Sequence, residues 1–471
     1  MMNTPLSLPG RAPRAAWLPL VAALLLAGCA STASLAPQAE APARFKEAPT
    51  AQVATAPVPA AGDWWRAFAD PALDALVERA ATRNTDIGRA AARLAEARAI
   101  ARTVDAARAV QIGVGTGVNR AAGIGRTPDA RPATVLNAGA NVSYEVDLFG
   151  RLAGASNAAA LDAASREALL QSVRLIVQAE VAQRYLQLRA TDAERDLVRD
   201  TVAAYRDTLD LTERRERAGD LAELDVARVQ TELSATESEA LALDRQRALL
   251  EHALAVLTGD AASDFELAAG DWTTALPAIP AGVPATVGAR RPDVAAAQRT
   301  VMAAQARLGV AQTAWLPAIA LTGAGGFASP DLGDLFRWSA RSWGIGALLS
   351  LPLLDGGRRE AGVQTASAQL DGALSDYRDR VLVAFREVED ELASLSLLDR
   401  QSAVQARAVA SARRATALSD TRYRNGMVSQ LELLDARRSE LRNRRQALQV
   451  RSAQYQSTVG LIRALGGGWS V

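Results

Sequence analysis

Residues 143–154, SYEVDLFGRLAG, bring an alternating apolar run to its end at Asp147, turn through Gly150 and Arg151, and enter a long stretch without proline. This is a strand that passes through a glycine corner straight into a helix. The corner returns at residues 350–361, SLPLLDGGRREA, where Gly357 and Arg358 stand 207 positions after Gly150 and Arg151. With that constant shift and no gap, Asp86 falls on Asp293, Ile112 on Ile319, Gly139 on Gly346, Gly219 on Gly426 and Gly259 on Gly466. Alanines match by chance in so alanine-rich a chain, but glycines at every corner do not. Two copies of one architecture follow, 86–264 and 293–471, joined by a Pro- and Gly-rich linker, 265–292.

Each copy reads helix, hairpin, long helix, turn, long helix. In VQIGVGTGV, residues 110–118, Val110, Ile112, Val114 and Val118 share one face, and Gln111, Gly113, Gly115 and Gly117 the other. The partner strand near 134–147 puts Leu136, Val142, Tyr144 and Val146 opposite Asn137, Gly139 and Asn141. Strands near 316–327 and 341–354 complete the set. The run Gly113-x-Gly115-x-Gly117 is not a phosphate loop, because no helix start follows it and the alternation runs through it. One apolar face and one small or polar face is the pattern of a membrane β-barrel strand. Four strands cannot close a barrel, and open edges are not tolerated in hydrocarbon, so several chains must contribute. The competing reading is a four-stranded sheet packed on a helix in a soluble domain.

Helix length favours the barrel. A helix over 152–217 would span about 100 Å, more than the diameter of a compact domain. The next, over 221–257, is shorter by nearly half, and the leading helix 86–108 supplies most of the missing length when stacked on its end. Leu434, Leu441, Leu448, Tyr455 and Ile462 recur every seven residues, as do Leu243, Leu250 and Leu257. Such seams suit lateral packing, in a coiled-coil bundle or in the wall of a tube.

Composition and the first residues decide the compartment. Arg11 and Arg14 precede the apolar run 15–27, which ends in Leu26-Ala27-Gly28-Cys29. This reads as a lipoprotein signal peptide, 1–28, cut so that Cys29 becomes a lipid-bearing N-terminus. Cys29 is the only cysteine, so no disulfide claims it. Ala30 in the next position favours the outer membrane of a Gram-negative cell. Residues 29–62, rich in Ala, Pro, Thr and Ser, read as an extended lipid-anchored tether, and 63–85 as an N-terminal helical segment. With 53 basic and 52 acidic residues interspersed, there is no basic stripe for nucleic acid. His252 is the only histidine, and with no cysteine near it makes no metal site. No nucleophile–base constellation or nucleotide loop stands out, so no enzyme and no cofactor are expected, apart from the covalent lipid on Cys29.

Six stretches together carry a family resemblance: GDWWRAFADPALDALV at 62–77, YEVDLFGR at 144–151, RRPDVAAAQ at 290–298, PLLDGGRR at 352–359, RYRNGMVSQLELLDARRS at 422–439 and ALGGGW at 464–469. The chain resembles the TolC-like outer-membrane factors, of the NodT lipoprotein type, that serve tripartite efflux systems. The resemblance implies a mainly α protein with a membrane β-barrel portion. Three chains with four strands each would make a twelve-stranded barrel in the outer membrane, continuous with a twelve-helix tunnel through the periplasm. It implies a homotrimer in contact with outer-membrane lipid, a periplasmic membrane-fusion adaptor as partner, and an RND-type inner-membrane pump that supplies the energy. The function implied is a passive exit duct for drugs or other small toxic compounds. A type I protein-secretion duct shares this fold, and a helical scaffold lipoprotein that tethers envelope layers is the alternative from another class.

The resemblance also assigns residues. Gly150, Arg151, Gly357 and Arg358 would form the strand-to-helix corners. Gly219, Asp220, Gly426, Met427, Val428 and Ser429 would form periplasmic tips that meet the adaptor. Asp420, with Leu418 and Arg422 beside it, would line a constriction that closes the periplasmic end. A local alternative is that Asp420 only pairs with Arg424 at i,i+4, as Glu213 can with Arg217 in the first copy.

Overall fold

The computed structural model describes residues 42, 44–47, 62–121, 132–280 and 290–467, all within one unit spanning 37–471. The signal peptide and Cys29 lie outside the described residues. A 3₁₀ turn, Trp64–Phe68, leads into α1 (Pro71–Arg83), which starts with proline in its first turn and the Asp70 carboxylate accepting from the amides of Ala72 and Leu73 at 3.1 and 3.3 Å. The Asn84 side chain caps α2 (Thr85–Ala106) in the same way. There follow β1 (Gln111–Ala121), β2 (Ala133–Val146), α3 (Arg151–Arg217) and α4 (Glu223–Thr258). The second round is α5 (Pro292–Thr313), β3 (Ala318–Ser329), β4 (Arg341–Ser350), α6 (Arg358–Arg424) and α7 (Gln430–Ala464).

The repetition is nearly literal. The bounds of α2 and α5, and those of α3 and α6, differ by 207 positions at both ends. Both long helices have 67 residues, which is about 100 Å of helix. The return helices have 36 and 35 residues, and the leading helices 22 each. Each leading helix and return helix lie against the same long helix, and α3 also packs on α5 and α7. β4 ends at Ser350, earlier than the alternation suggests, because Pro352 has no N–H to continue a ladder.

The core sits around the middle of the long helices. Trp64, Phe68, Leu73 and Val77 pack with Val181, Tyr185, Leu254 and Tyr455 in one cluster, and Val294, Val381, Val388 and Leu461 form a second. A third, of Val202, Tyr205, Val229, Leu233 and Leu434, ties α3, α4 and α7 nearer their turns. The heptad seam is inside these contacts, with Leu434, Tyr455 and Ile462 buried and Leu441 and Leu448 half-buried. Alanine at many neighbouring positions lets these helices approach closely while burying little area per residue.

The four strands form one antiparallel sheet in the order β1-β2-β3-β4. Register fixes its faces. One cross-strand row is Ile112, Val142, Gly323 and Ile345, and another is Val114, Ala140, Gly325 and Trp343. Between them run rows of the other face, such as Gly113, Asn141, Ala324 and Gly344, or Gly115, Gly139, Gly326 and Ser342. Gly139 is required where it is, since a Cβ there would lie 2.7 Å from the Gly325 carbonyl oxygen. Among the described residues no α-helix packs across the sheet, which removes the soluble-domain reading. All of β4 is exposed, and Val114 and Ile345 are 84% and 86% exposed.

Candidate functional site: wall, corners and helix tips

The wall follows from the sheet. Its apolar face carries Ile112, Val114, Leu321, Trp343, Ile345 and Leu349, all of them exposed. The opposite face is mostly glycine, alanine, serine, threonine and asparagine, with Val135 and Leu348 as its two large apolar side chains and Gln111 and Glu145 toward the helix end. Among the described residues, the outer edges of β1 and β4 have no strand partner. An exposed apolar face suits hydrocarbon and the small polar face suits water, but the two bare edges suit neither until another strand pairs with them.

Both corners use a left-handed glycine at the helix start, Gly150 with φ 72° and Gly357 with φ 88°. Here an aspartate takes the place of a capping side chain. Asp147 accepts from the amides of Leu152 (3.0 Å) and Ala153 (2.7 Å), and Asp355 from those of Gly357 (3.1 Å) and Arg359 (3.2 Å). The aspartate stands three residues before the glycine in the first copy and two before it in the second. The arginines diverge with it. Arg151 forks onto Glu145 at 2.7–3.1 Å, whereas Arg358 is exposed and Arg359 makes the pair instead, with Asp355 at 2.6 Å. The Arg359 guanidinium also lies 4.4 Å from the centre of the Trp315 ring. Sequence reading chose Arg358 because the shift of 207 aligns it, and only the moved aspartate could have pointed to Arg359.

The two helix turns at the far end match closely. Gly219 and Gly426 have φ 85° and 69°, and beside them the amides of Asp220 and Met427 donate back to the carbonyls of Arg215 (2.9 Å) and Arg422 (2.8 Å). Gly219, Asp220, Gly426, Met427 and Ser429 are exposed and Val428 is half-buried. Ser429 caps α7 by accepting from the Glu432 amide at 3.4 Å. Arg215 holds the turns side by side, with its guanidinium over the Tyr423 ring (5.0 Å) and a hydrogen bond to the Arg424 carbonyl (3.3 Å).

Asp420 does not stand free. One carboxylate oxygen accepts from Arg437 (3.0 Å) and the other from Arg424 (2.8 Å). Arg437, from α7, also donates to the Ala204 carbonyl (2.8 Å) and the Thr208 hydroxyl on α3. Asp420 is therefore the α6 end of a bridge across three helices, at the edge of a groove of about 450 Å³ also lined by Arg413, Glu440 and Arg444. The local pair with Arg424 exists; its counterpart does not, because Arg217 donates to the Glu213 backbone oxygen instead (3.1 Å). Leu418 is exposed and Arg422 approaches Glu432 at 3.8 Å, so neither joins Asp420.

A buried ionic clasp near the middle of α3 was not anticipated from the sequence. The Asp192 side chain, 2% exposed, accepts from Arg189 (3.3 Å), Arg195 (3.1 Å) and Arg247 (2.8 Å). Arg189 and Arg247 continue to the carbonyls of Ala268 and Leu267, which straps the linker onto the helices. The Tyr185 hydroxyl accepts from Arg189 and donates to Asp70, and burial pushes it up to about 12, so it stays neutral. On the other repeat, Arg291 joins Asp293 (2.7 Å) to Glu387 (2.6 Å). Charges on an otherwise apolar helix face, as in RATDAERD at 189–196, were the available signal. Among the described residues no group of histidine, cysteine and carboxylate side chains could hold a metal ion, and no helix is long and apolar enough to cross a membrane.

Comparison with known proteins agrees with this geometry. The family described as outer membrane efflux protein matches residues 76–260 and 283–467, two stretches again offset by 207. The solvent efflux pump outer membrane protein SrpC of Pseudomonas putida is 33% identical over 470 residues, covering 96% of this chain and 98% of SrpC. The cation efflux system protein CusC of Escherichia coli is 30% identical over 459 residues, covering 96% of this chain and 98% of CusC. Among solved structures, the outer membrane protein VceC of Vibrio cholerae superposes with a TM-score of 0.81 at 26% identity, over 87% of this chain and all of that one (100%).

Proposed function

This chain belongs to the outer membrane efflux protein family, and from that premise we propose that it is the passive exit duct of a tripartite pump exporting drugs or other small toxic compounds. The observation that carries the reading is the sheet with one apolar face, one small polar face and two bare edges, joined through glycine corners to helices about 100 Å long. Several copies placed edge to edge satisfy every strand, and the family resemblance implies that the number is three, so the working form is a homotrimer in the outer membrane. The apolar face meets lipid and the small polar face lines water. The paired helices continue the tube into the periplasm, and the turns at Gly219 and Gly426 meet a periplasmic adaptor that joins the duct to an RND-type inner-membrane pump. The chain performs no catalysis; the pump supplies the energy and selects the cargo. Cys29 carries the lipid that retains the chain at the outer membrane.

Planar-bilayer recording tests the duct directly. The purified trimer should insert, run as a heat-modifiable band, and conduct weakly while its periplasmic end is closed. A protein that extracts without detergent, or that never conducts even in opened variants, would sink the reading. Mass spectrometry of the mature N-terminus tests the anchor separately: a diacylglyceryl-modified Cys29 is expected, and an unmodified Cys29 or a cut elsewhere would remove it.

A further inference from the structure

The two repeats bury the same helical face under different covers. In the first, Ile87, Val177, Val181 and Leu254 pack with Leu73 and Val77 of α1. The positions 207 later, Val294, Ala384, Val388 and Leu461, form the matching face of the second repeat. There, among the described residues, the fully buried side chain laid on it from outside the repeat is Phe45, 2% exposed. Beside the ring, the Lys46 amide donates to one oxygen of Glu389 (2.7 Å) and the Glu47 amide to the other (3.0 Å). A carboxylate that receives two consecutive backbone N–H groups is a strong receptor for a peptide main chain. Under the repeat shift Glu389 falls on Ala182, which is fully buried in the first repeat, so the carboxylate stands only where the peptide does.

We propose that this face is a peptide-docking site that takes an aromatic side chain followed by two free backbone amides, and that residues 44–47 of the chain are its occupant. They replace, in the second repeat, the helix that covers the first. Residues 29–62 are then not one tether: Phe45 lies 16 positions after Cys29, whereas Trp64 lies 35 after it. Among the described residues, the first buried attachment of the N-terminal segment to the folded body is Phe45, on the second repeat.

Hydrogen exchange on the detergent-purified full-length trimer tests this. In the wild type the amides of Lys46 and Glu47 should exchange at least about tenfold more slowly than in a free chain, and Glu389→Gln should remove most of that protection. Phe45→Ala should speed exchange over 381–392 roughly tenfold or more while leaving 174–185, the same stretch of the first repeat, unchanged. Cys29→Ser should leave all of these rates as they are, which separates the docking site from the lipid anchor and from conduction. Free-chain rates at Lys46 and Glu47 in the wild type would overturn the proposal, as would no change over 381–392, or equal changes in both repeats, in Phe45→Ala.

Discussion

Asp192 is the residue on which most buried charge converges. Removing it in Asp192→Ala leaves Arg189, Arg195 and Arg247 without their shared anion in a nearly dry site, at a cost of about 3–5 kcal/mol. The expected readout is a lowered dissociation temperature of the trimer and faster proteolysis of the linker near Leu267. Asp420 has a different task, because Arg437 carries its charge across to α3. Asp420→Ala and Arg437→Ala should each raise single-channel conductance in planar bilayers, since either one unties the same three helices, whereas Arg424→Ala should do less. Equal effects from Asp420→Ala and Arg424→Ala, with little from Arg437→Ala, would reduce Asp420 to a local helix pair worth about 0.2–0.5 kcal/mol. Asp293 is a buried contributor to the pH dependence. Burial alone would raise its carboxyl, but hydrogen bonds and charge from Arg291 hold it below the usual carboxylate range. Its stabilisation is full above about pH 4 and is lost as acidification passes through the lowered native value. Thermal melts from pH 7 downward should show Asp293→Asn less stable at neutrality and less sensitive to acid than the wild type.

At the scale of the element, the two faces of the sheet answer to different solvents. Ile345→Arg on the apolar face should impair insertion, at a cost of about 2–4 kcal/mol for a charge at mid-bilayer, while Ser342→Arg on the other face should insert and alter ion selectivity. Heat-modifiable migration of membrane-extracted protein reads the first and reversal potentials the second; equal tolerance of both would contradict the assignment of faces. At the tips, tryptophan at Gly219 and Gly426 forces a bulky residue into left-handed backbone, where no other atoms crowd the Cβ. Export should fall while trimer remains in the membrane, and normal export from the double variant would count against adaptor docking there. The strands and these turns were legible because period-two alternation and glycine at matched positions are local signals. The pairing of Arg359 rather than Arg358 was not, because it depends on a one-residue shift of the capping aspartate between two otherwise matching corners.

The whole molecule is a two-fold internal repeat whose long helices keep a constant offset of 207 residues at both ends, as do the two stretches matched by the family. Such regularity follows from what a tube wall demands: each repeat must supply the same length of helix and the same pair of strands, or the wall would not be level. The departures from the repeat lie where the wall meets something else, at the corners and at the surfaces covered by α1 and by Phe45.

By itself the sequence determined the elements, their order, their repetition and the need for further chains, since alternation, proline-free length and glycine corners act over a few residues and survive without tertiary context. It also carried the resemblance, because those motifs are contiguous. Tertiary structure alone decided which side chains meet across distant segments: Asp192 with three arginines, Asp420 with Arg437 and through it α3, and Phe45 with a face more than two hundred residues away. These contacts depend on how helices about 100 Å long lie against one another, and no spacing within a single helix encodes a partner on another.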